Sequence, residues 1–465
     1  MLSPPSSAQS LGPVGYSTSR AFTLALILLA ALAVVYAGWP LWRAIFPLEI
    51  DVDDVWNAFN ADAAFGPRAL YPSADALIAN NYPPLSFLLI GFLSKLTVDA
   101  TYVGRALSLV AVAVTSLSVA LCIRQLGGNT KSAALGALWF LATMVRFYEN
   151  YVGKNDPHLP AVAIAAAGLA WFLMRHKRGR PVEPAILLMA VAGFYKHTVI
   201  ATPAAALLWL ATINVRLALR AALVGVIAAA AGLALCVAAY GPAFIDQLLF
   251  PRYYSLTRVV ACLGRIQWIV PALIIWAIWA WLGQRSEAKR FTVLYAGLGL
   301  LIFAVTSSGE GVGDNSQFEL VVATAIGLGL AFDEAGRVLM ERYGMARIHL
   351  VFLAALILRL LVSSRAEAYL VLTSSEYRGL FPAAVAVMER EVVRISAVPG
   401  PVACTVMTVC RRAGKAFVWD HFATANRIRT GRVTEAEFAA KFRAQNIRAE
   451  SIDPRAAIEP LLRRF

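Results

Sequence analysis

The sequence predicts an all-α polytopic membrane protein with about eleven transmembrane helices, followed by a small α/β domain at the C-terminus. Of its 465 residues, 59% are hydrophobic and 15% are charged, whereas an ordinary globular chain carries about 25% charged residues. Apolar runs recur along the first 360 positions, and each is long enough to cross a hydrocarbon core about 30 Å thick. The five scattered cysteines exclude a disulfide scaffold and a zinc cluster.

The spans are placed by matching the apolar windows to their flanking Arg and Lys residues. The first span, 21–44, follows a polar segment, 1–20, that has no Lys or Arg before Arg20, which argues against a cleaved signal peptide. The other ten spans lie near 102–123, 131–148, 158–174, 184–196, 199–212, 220–240, 266–282, 291–306, 318–333 and 347–363. The transmembrane domain therefore extends over 21–363.

The distribution of positive charge favours a cytoplasmic N-terminus. In that orientation the cytoplasmic loops hold 15 Lys and Arg residues in about seventy positions, against 10 in about a hundred positions outside. An odd number of spans then places 364–465 in an extracytoplasmic domain, where 392–398 predicts a strand and 433–445 a helix. Most of the net charge of +14 thus reports orientation, and nucleic acid is not an expected partner.

A long extracytoplasmic loop, 45–101, separates the first two spans. Its apolar segment 82–96 opens on two prolines. The apolar part is only about fourteen residues long, which is short for a full crossing and predicts a helix lying in the membrane interface. A crossing at this point would place the basic segment 175–180 outside the cytoplasm.

Acidic residues concentrate in the predicted extracytoplasmic loops rather than inside the spans. Asp51, Asp53 and Asp54 follow the first span. Carboxylates this close repel one another unless they bind a metal, face cations or exchange protons with a substrate. For any one of them, a helix N-cap in a solvated loop is the alternative.

A second polar cluster precedes the fourth span and contains Lys154, Asp156 and His158. Asp156 lies directly before Pro157, so capping of the following helix is the alternative role for this carboxylate.

Three further loops add cations and an amide. Lys196 and His197 lie in apolar sequence between two spans, where a cation needs an anion or a carbonyl to offset its desolvation. Snorkelling of the lysine to the interface is the alternative. Arg252 and Tyr253 follow 220–240, and Asn315 lies in a glycine-rich loop. An arginine fork suits phosphate, whereas interfacial tyrosines often act as anchors.

Acids and cations on one membrane face suit a reaction in which a carboxylate activates a hydroxyl while cations stabilise a departing phosphate. The sequence contains no phosphate-binding P-loop, dinucleotide-binding, serine-hydrolase or zinc-protease motif. Two alternatives remain at this stage: a flippase or transporter for a lipid-linked sugar, and a glycan polymerase or ligase. A transporter usually carries ionisable groups near the bilayer midplane.

The order of these motifs resembles that of the GT-C glycosyltransferases, specifically the bacterial enzymes that use polyprenyl-phosphate sugars and are related to protein mannosyltransferases and lipid A aminoarabinose transferases. The resemblance covers roughly 20–335 and rests on the motifs DVDDVW, NNYPPLSFLL, GRALSL, NDPHL, KHT and GDNSQFEL. It implies inverting transfer of a hexose or pentose from a polyprenyl-phosphate donor to an envelope glycan, lipid or protein, at the outer side of the bacterial inner membrane.

The resemblance also implies roles for individual residues. The implied catalytic residues are Asp53, Asp54 and Asp156, and the implied substrate-binding residues are Asp51, Lys154, His158, Lys196, His197, Arg252, Tyr253 and Asn315. The family often has Asp-Glu where this chain has Asp53 and Asp54, so the identity of the base stays open. A divalent cation, Mg²⁺ or Mn²⁺, held by Asp51, Asp53 and Asp54 also stays open.

Cys404 and Cys410 are the only closely spaced pair of cysteines in the predicted extracytoplasmic compartment. The segment between them resembles the start of a helix, which would keep residues six apart beyond the usual Cα separation of about 4.4–6.8 Å for a disulfide. The sequence therefore predicts no bond between them.

Overall fold

A computed structural model describes residues 13–283, 285–343, 348–362 and 365–452, apart from the side chains of 13–19, 335–343 and 348–349. Within these ranges the chain forms twenty α-helices and two short strands. The first fifteen helices are α1 (Pro13–Ala44), α2 (Val52–Ala63), α3 (Leu85–Leu96), α4 (Ala100–Gln125), α5 (Thr130–Phe147), α6 (His158–Lys177), α7 (Glu183–Tyr195), α8 (Ala201–Ala211), α9 (Val215–Tyr240), α10 (Ala243–Leu248), α11 (Leu256–Leu263), α12 (Val270–Leu282), α13 (Glu287–Ser307), α14 (Phe318–Tyr343) and α15 (Ile348–Leu361). The C-terminal elements are α16 (Glu367–Thr373), α17 (Ser375–Ser396), β1 (Val402–Cys404), α18 (Met407–Arg412), α19 (His421–Arg429), α20 (Glu435–Ala444) and β2 (Arg448–Glu450).

Six helical segments of the described chain are long and apolar enough to cross a membrane, fewer than the predicted eleven. They lie in α1, α4, α6, α9, α13 and the segment 314–334, and the pair α11–α12, bent by 82°, would make a seventh. A helix is present at every predicted span. However, α7 and α8 have only 13 and 11 residues, which is about 20 and 17 Å of helix. The apolar windows therefore located the helices, but the count of eleven is not reproduced.

The short helices α7 and α8 create a recess. Glu183 at the start of α7 pairs with Arg220 near the start of α9, so these two helices begin at the same level. The ring of Phe194, at the other end of α7, lies against Gly232. The last eight residues of α9 extend beyond this point, which amounts to about 12 Å. The turn 196–200 between α7 and α8 therefore lies deeper in the protein than the end of α9.

The loop 45–101 folds into a hairpin of α2 and α3 that packs on the start of α4. At Gly91 on α3, an added Cβ would lie 2.5 Å from the carbonyl oxygen of Ala61 on α2. The two helices therefore approach closely at a position that only glycine tolerates. With 12 residues, α3 is about 18 Å long, which agrees with a short helix in 82–96. Its location in the membrane interface remains a prediction.

The C-terminal elements surround a two-stranded parallel sheet in which Val402 is opposite Arg448. The predicted strand 392–398 is wrong, because these residues continue α17 up to Ser396. The predicted helix in 433–445 is confirmed as α20, whose first turn is closed by a capping box from Thr434. The domain boundary predicted at 363–364 lies outside the described residues.

The prediction that Cys404 and Cys410 stay unbonded is also wrong. They form a disulfide with a Cα separation of 5.8 Å. Cys404 ends β1 and α18 begins only at Met407. The chain bends between these two elements, which brings Cys410 back toward the strand.

Candidate active site

Five segments that are distant in sequence converge on the recess. They are the start of α2, the start of α6, the turn between α7 and α8, the loop after α10 and the loop between α13 and α14. Together they enclose a cavity of about 190 Å³. Six of the predicted site residues line it: Asp53, His158, Lys196, His197, Arg252 and Asn315.

The N-terminus of α2 presents Asp53 to the cavity. Asp51 is the N-cap and accepts a hydrogen bond from the backbone N–H of Val52 (2.7 Å). Asp53 follows in the first turn, where the helix dipole favours negative charge. Its side chain is 44% exposed and lines the cavity. A capping interaction thus orients the helix that carries the exposed carboxylate.

Lys154 lies behind the cavity wall and holds three carboxylates together. Its side chain is fully buried, and Nζ is 3.2 Å from Asp51, 3.6 Å from Asp53 and 3.9 Å from Asp156. The ring centroid of Tyr151 lies 4.1 Å from the same nitrogen. The predicted phosphate-facing lysine is therefore engaged by the acidic cluster and is not among the cavity-lining residues.

Burial and charge act differently on two of these carboxylates. The Asp53 carboxylate reaches solvent only through the recess, and this partial desolvation raises its pKa, although the nearby Lys154 ammonium partly offsets the effect. For Asp156, burial alone would raise the pKa, but Lys154 and Lys196 outweigh it and lower the pKa. Asp156 Oδ1 accepts a hydrogen bond from the backbone N–H of His158 (2.8 Å) at the start of α6, so the capping alternative describes this contact.

Asp54 points away from the cavity. Its carboxylate is completely buried and lies 2.5 Å from the guanidinium of Arg105 on α4. It also accepts a hydrogen bond from the backbone N–H of Asn155 (2.8 Å). The structure therefore separates the two adjacent aspartates: Asp53 faces the cavity, and Asp54 ties α2 to α4 and to the loop before α6.

Two cations face the cavity without an acidic partner. Lys196 Nζ lies 3.0 Å from the centroid of the Tyr82 ring, and the guanidinium of Arg252 lies 5.6 Å from the centroid of the Phe422 ring. Throughout the described ranges, neither cation forms a salt bridge or a side-chain hydrogen bond by ordinary distance criteria. Cation–π contacts of this kind leave the N–H donors available for an anion.

No protein-family model and no curated protein matches this sequence. Among solved structures, ArnT from Cupriavidus metallidurans in the apo state is similar with a TM-score of 0.62 and 14% identity, over 95% of this chain and 95% of that chain. ArnT from the same organism bound to undecaprenyl phosphate is similar with a TM-score of 0.51 and 15% identity, over 90% and 79%. This chain shares the fold of ArnT. The resemblance seen in the sequence motifs is thereby confirmed at the level of the fold, and the chain is a multi-pass membrane protein.

Within this fold, the acidic cluster does not fit a divalent cation. Hard cations such as Mg²⁺ need several oxygen ligands around one point, but the ammonium of Lys154 lies at the point that Asp51, Asp53 and Asp156 surround. Asp54 is directed to Arg105. No group of three or more His, Cys, Asp or Glu side chains in the described part of the chain has the arrangement of a metal site. The Lys154 ammonium therefore occupies the position that the Mg²⁺ or Mn²⁺ suggested by the sequence would need.

Glu319, the glutamate of the GDNSQFEL motif, also lines the cavity. It lies at the start of α14, and its carboxylate accepts hydrogen bonds from the backbone N–H groups of Ile200, Ala201 and Thr202 at 3.2, 3.1 and 2.7 Å. A carboxylate at a helix N-terminus satisfies N–H groups that lack partners within the helix. Glu319 thus anchors the turn that carries Lys196.

Two other positions differ from the expectation. Tyr253 does not line the cavity: its side chain is 41% exposed, whereas the adjacent Tyr254 does line it. The sequence interpretation missed Asn81 and Tyr82, which also line the cavity. Both residues belong to the NNYPP motif, which contributes to the family resemblance but carries no predicted site residue.

Proposed function

We propose that this protein is an integral membrane glycosyltransferase that moves a sugar from a polyprenyl-phosphate donor to a hydroxyl group of an envelope glycan, lipid or protein, with inversion at the anomeric carbon. The observation that carries this proposal is the recess itself. One exposed carboxylate, Asp53, shares a cavity of about 190 Å³ with two unpaired cations, Lys196 and Arg252. This is the combination that deprotonation of an acceptor and departure of a phosphate require.

A lipid-linked donor is supported by two considerations. The cavity cations lie in a recess of the membrane domain, where a phosphate at headgroup depth can meet them, and the similar ArnT structure was obtained with undecaprenyl phosphate. Nucleotide sugars are cytoplasmic, so an outward-facing transferase needs a donor that a lipid has carried across the membrane. The sugar, a hexose or a pentose, is left open.

In the proposed reaction, Asp53 accepts the proton of the acceptor hydroxyl. The oxygen forms a bond to the anomeric carbon while the bond from that carbon to the phosphate oxygen breaks. The electron pair leaves with the phosphate, which becomes polyprenyl phosphate. Lys196 and Arg252 stabilise the developing negative charge, and removal of one such contact typically costs about 10²- to 10³-fold in rate. Lys154 holds Asp53 in place from behind.

The proposed function also includes an orientation of the chain in the membrane. The excess of Lys and Arg in the predicted cytoplasmic loops supports a cytoplasmic N-terminus, which places the recess and 364–465 outside the cytoplasm. The disulfide between Cys404 and Cys410 supports an extracytoplasmic location for the C-terminal segment, because disulfides persist in oxidising compartments. The membrane would be the bacterial inner membrane.

The proposal is tested with purified protein in detergent and a panel of radiolabelled undecaprenyl-phosphate hexoses and pentoses. We expect the wild type to release label from at least one lipid, and we expect Asp53→Asn to reduce that rate by about 10³-fold. Asp54→Asn is the matched comparison, and its main effect should be a lower unfolding temperature. Full activity of Asp53→Asn would refute the assignment of the base. Label that changes leaflet in vesicles without leaving the lipid would instead indicate a flippase.

A further inference from the structure

A second, smaller chamber adjoins Asp53. Its volume is about 50 Å³, and it shares Asp53, Tyr82 and Arg252 with the larger cavity. Its other walls include Trp56 of α2 and Phe422 from the C-terminal domain. Asp53 consequently stands at the junction of two chambers, which have different linings.

The C-terminal domain is firmly attached at this chamber. Asp420 is the N-cap of α19, where it accepts a hydrogen bond from the backbone N–H of Ala423, and it also accepts one from Trp56 Nε1 (both 3.0 Å). An added Cβ at Gly311 would lie 2.1 Å from the Phe422 ring, and Gly311 has a φ of +75° that favours glycine. The position of the Phe422 ring is therefore fixed by a loop of the membrane domain.

The linings of the two chambers favour the binding of chemically different groups. The larger one contains Lys196 and His197, and an anion is the group that such side chains favour. The smaller one contains the rings of Trp56 and Phe422 beside Asp53. Pockets lined by aromatic rings with a few polar groups bind largely uncharged organic groups and orient them by hydrogen bonds.

The volume of the smaller chamber limits which part of a ligand it can hold. A buried water needs about 10–15 Å³ of comparable volume, so 50 Å³ corresponds to about three to five such positions. That space admits a hydroxymethyl group and excludes a complete sugar ring. A hydroxyl oxygen placed there lies next to Asp53 and Arg252, whereas Lys196 lines only the larger cavity.

We propose that the smaller chamber is the acceptor subsite, that it takes the hydroxymethyl arm of an acceptor with a primary hydroxyl, and that Phe422 restricts it to that class. This inference rests on the proposed function. In the same balanced step, the primary hydroxyl gives its proton to Asp53 and its oxygen bonds to the anomeric carbon, while polyprenyl phosphate leaves on the side of Lys196 and Arg252.

The test uses two small alcohols as acceptor probes at equal concentration in one reaction, 1-propanol and 2-propanol, with a labelled undecaprenyl-phosphate sugar that the wild type consumes. The two propyl glycosides are quantified by mass spectrometry. The added branch of 2-propanol should be poorly accommodated by the wild type. In Phe422→Ala, the ratio of primary to secondary product should fall about tenfold, which is the scale of discrimination by one methyl-sized group. Phe422→Trp should raise the ratio.

Phe438→Ala is the matched control, because Phe438 belongs to the C-terminal domain but packs around Trp419 and Phe442, away from the chamber. It should reproduce the wild-type ratio. An unchanged ratio in both Phe422 variants, with the donor still consumed, would overturn the acceptor subsite and leave the proposed function standing. If the wild type consumed no donor of the panel, the proposed function would fail, and this inference with it.

Discussion

Lys154 and the carboxylates around it determine the charge state of the site. A fully buried ammonium is costly unless it is paired, and here Asp51, Asp53 and Asp156 all lie within 4.0 Å of it. The same ammonium keeps three mutually repelling carboxylates together. The side chain of Lys154 therefore affects both the stability of the protein and the ionisation of Asp53.

Substitution of Lys154 by Met should damage both properties. Removing one partner from a buried ionic cluster costs about 3 kcal/mol or more, so the unfolding temperature in detergent should fall markedly. Loss of the positive charge should also raise the pKa of Asp53, because Lys154 lowers it in the native protein. Lys154→Arg keeps the charge and is the control. Equal unfolding temperatures for the Met and Arg variants would contradict this account.

The pH dependence of activity should report the ionisation of Asp53. A base must be deprotonated, and burial raises the pKa of Asp53 above its ordinary value of 3.8, so activity should fall with decreasing pH at a higher pH than for an exposed aspartate. Asp51→Asn removes a negative charge that contributes to this rise and keeps an acceptable N-cap. The acid limb of kcat/KM should therefore move to lower pH.

The control for this profile is Asp246→Asn. Asp246 is exposed on α10 and is absent from the groups that shift the pKa of Asp53. An acid limb that stays in place in Asp51→Asn, or that moves equally in both variants, would show that Asp53 is not the group observed.

At the scale of elements, the recess exists because α7 and α8 stop partway along their neighbours, and the turn between them needs an anchor. That anchor is Glu319 of α14, which accepts three backbone hydrogen bonds at the start of α8. Thr202 Oγ1 donates a further hydrogen bond to the same carboxylate (2.7 Å). The position of Lys196 thus depends on a residue from a different helix.

Glu319→Gln should lower stability by about 1–2 kcal/mol, because an uncharged amide with one acceptor oxygen replaces a charged cap at a helix N-terminus. The measurement is thermal unfolding in detergent, with and without undecaprenyl phosphate. Stabilisation by the lipid should weaken in the variant, since the turn that carries Lys196 is loosened. Glu183→Gln, which removes a pairing with the largely exposed Arg220, should change stability by less than about 1 kcal/mol. Equal changes in unfolding temperature and in stabilisation by the lipid for the two variants would contradict the anchoring role of Glu319.

At the scale of the whole molecule, residues of α2 and of the C-terminal segment around α19 line one chamber. Arg411 on α18 pairs with Asp62 and Asp99 at 2.7 and 2.8 Å, and the rings of Phe59 and Phe417 stack with centroids 4.9 Å apart. These contacts join α18 and the segment after it to the hairpin of α2 and α3. The C-terminal domain should therefore lie on the same side of the membrane as the recess.

The proposed orientation can be checked with single cysteines at two exposed positions. Arg432 lies in the C-terminal domain and Arg178 lies in the turn between α6 and α7. In intact cells, a membrane-impermeant maleimide should label Arg432→Cys, while Arg178→Cys should react only after lysis. The chain without added cysteines gives the background. The opposite labelling pattern would reverse the proposed topology.

The amino-acid sequence was sufficient to predict the class of the protein, the positions of its helices and the polar loops that line the recess. Composition and apolar run length report directly on burial in lipid, and five of the polar loops identified in this way do meet in the recess. The sequence did not determine where those helices end in space, and the count of eleven spans is not reproduced.

Which of the polar residues face the cavity depends on the tertiary structure. Asp53 and Asp54 are adjacent and chemically alike, but successive residues of a helix point about 100° apart, so one lines the recess and the other meets Arg105. Lys154 and Lys196 were likewise equivalent in the sequence, and packing surrounds one with carboxylates and leaves the other over Tyr82. The disulfide depended in the same way on where β1 ends and α18 begins. Residue type and spacing specify the available chemistry, whereas the direction of each side chain depends on contacts between segments that are far apart in the chain.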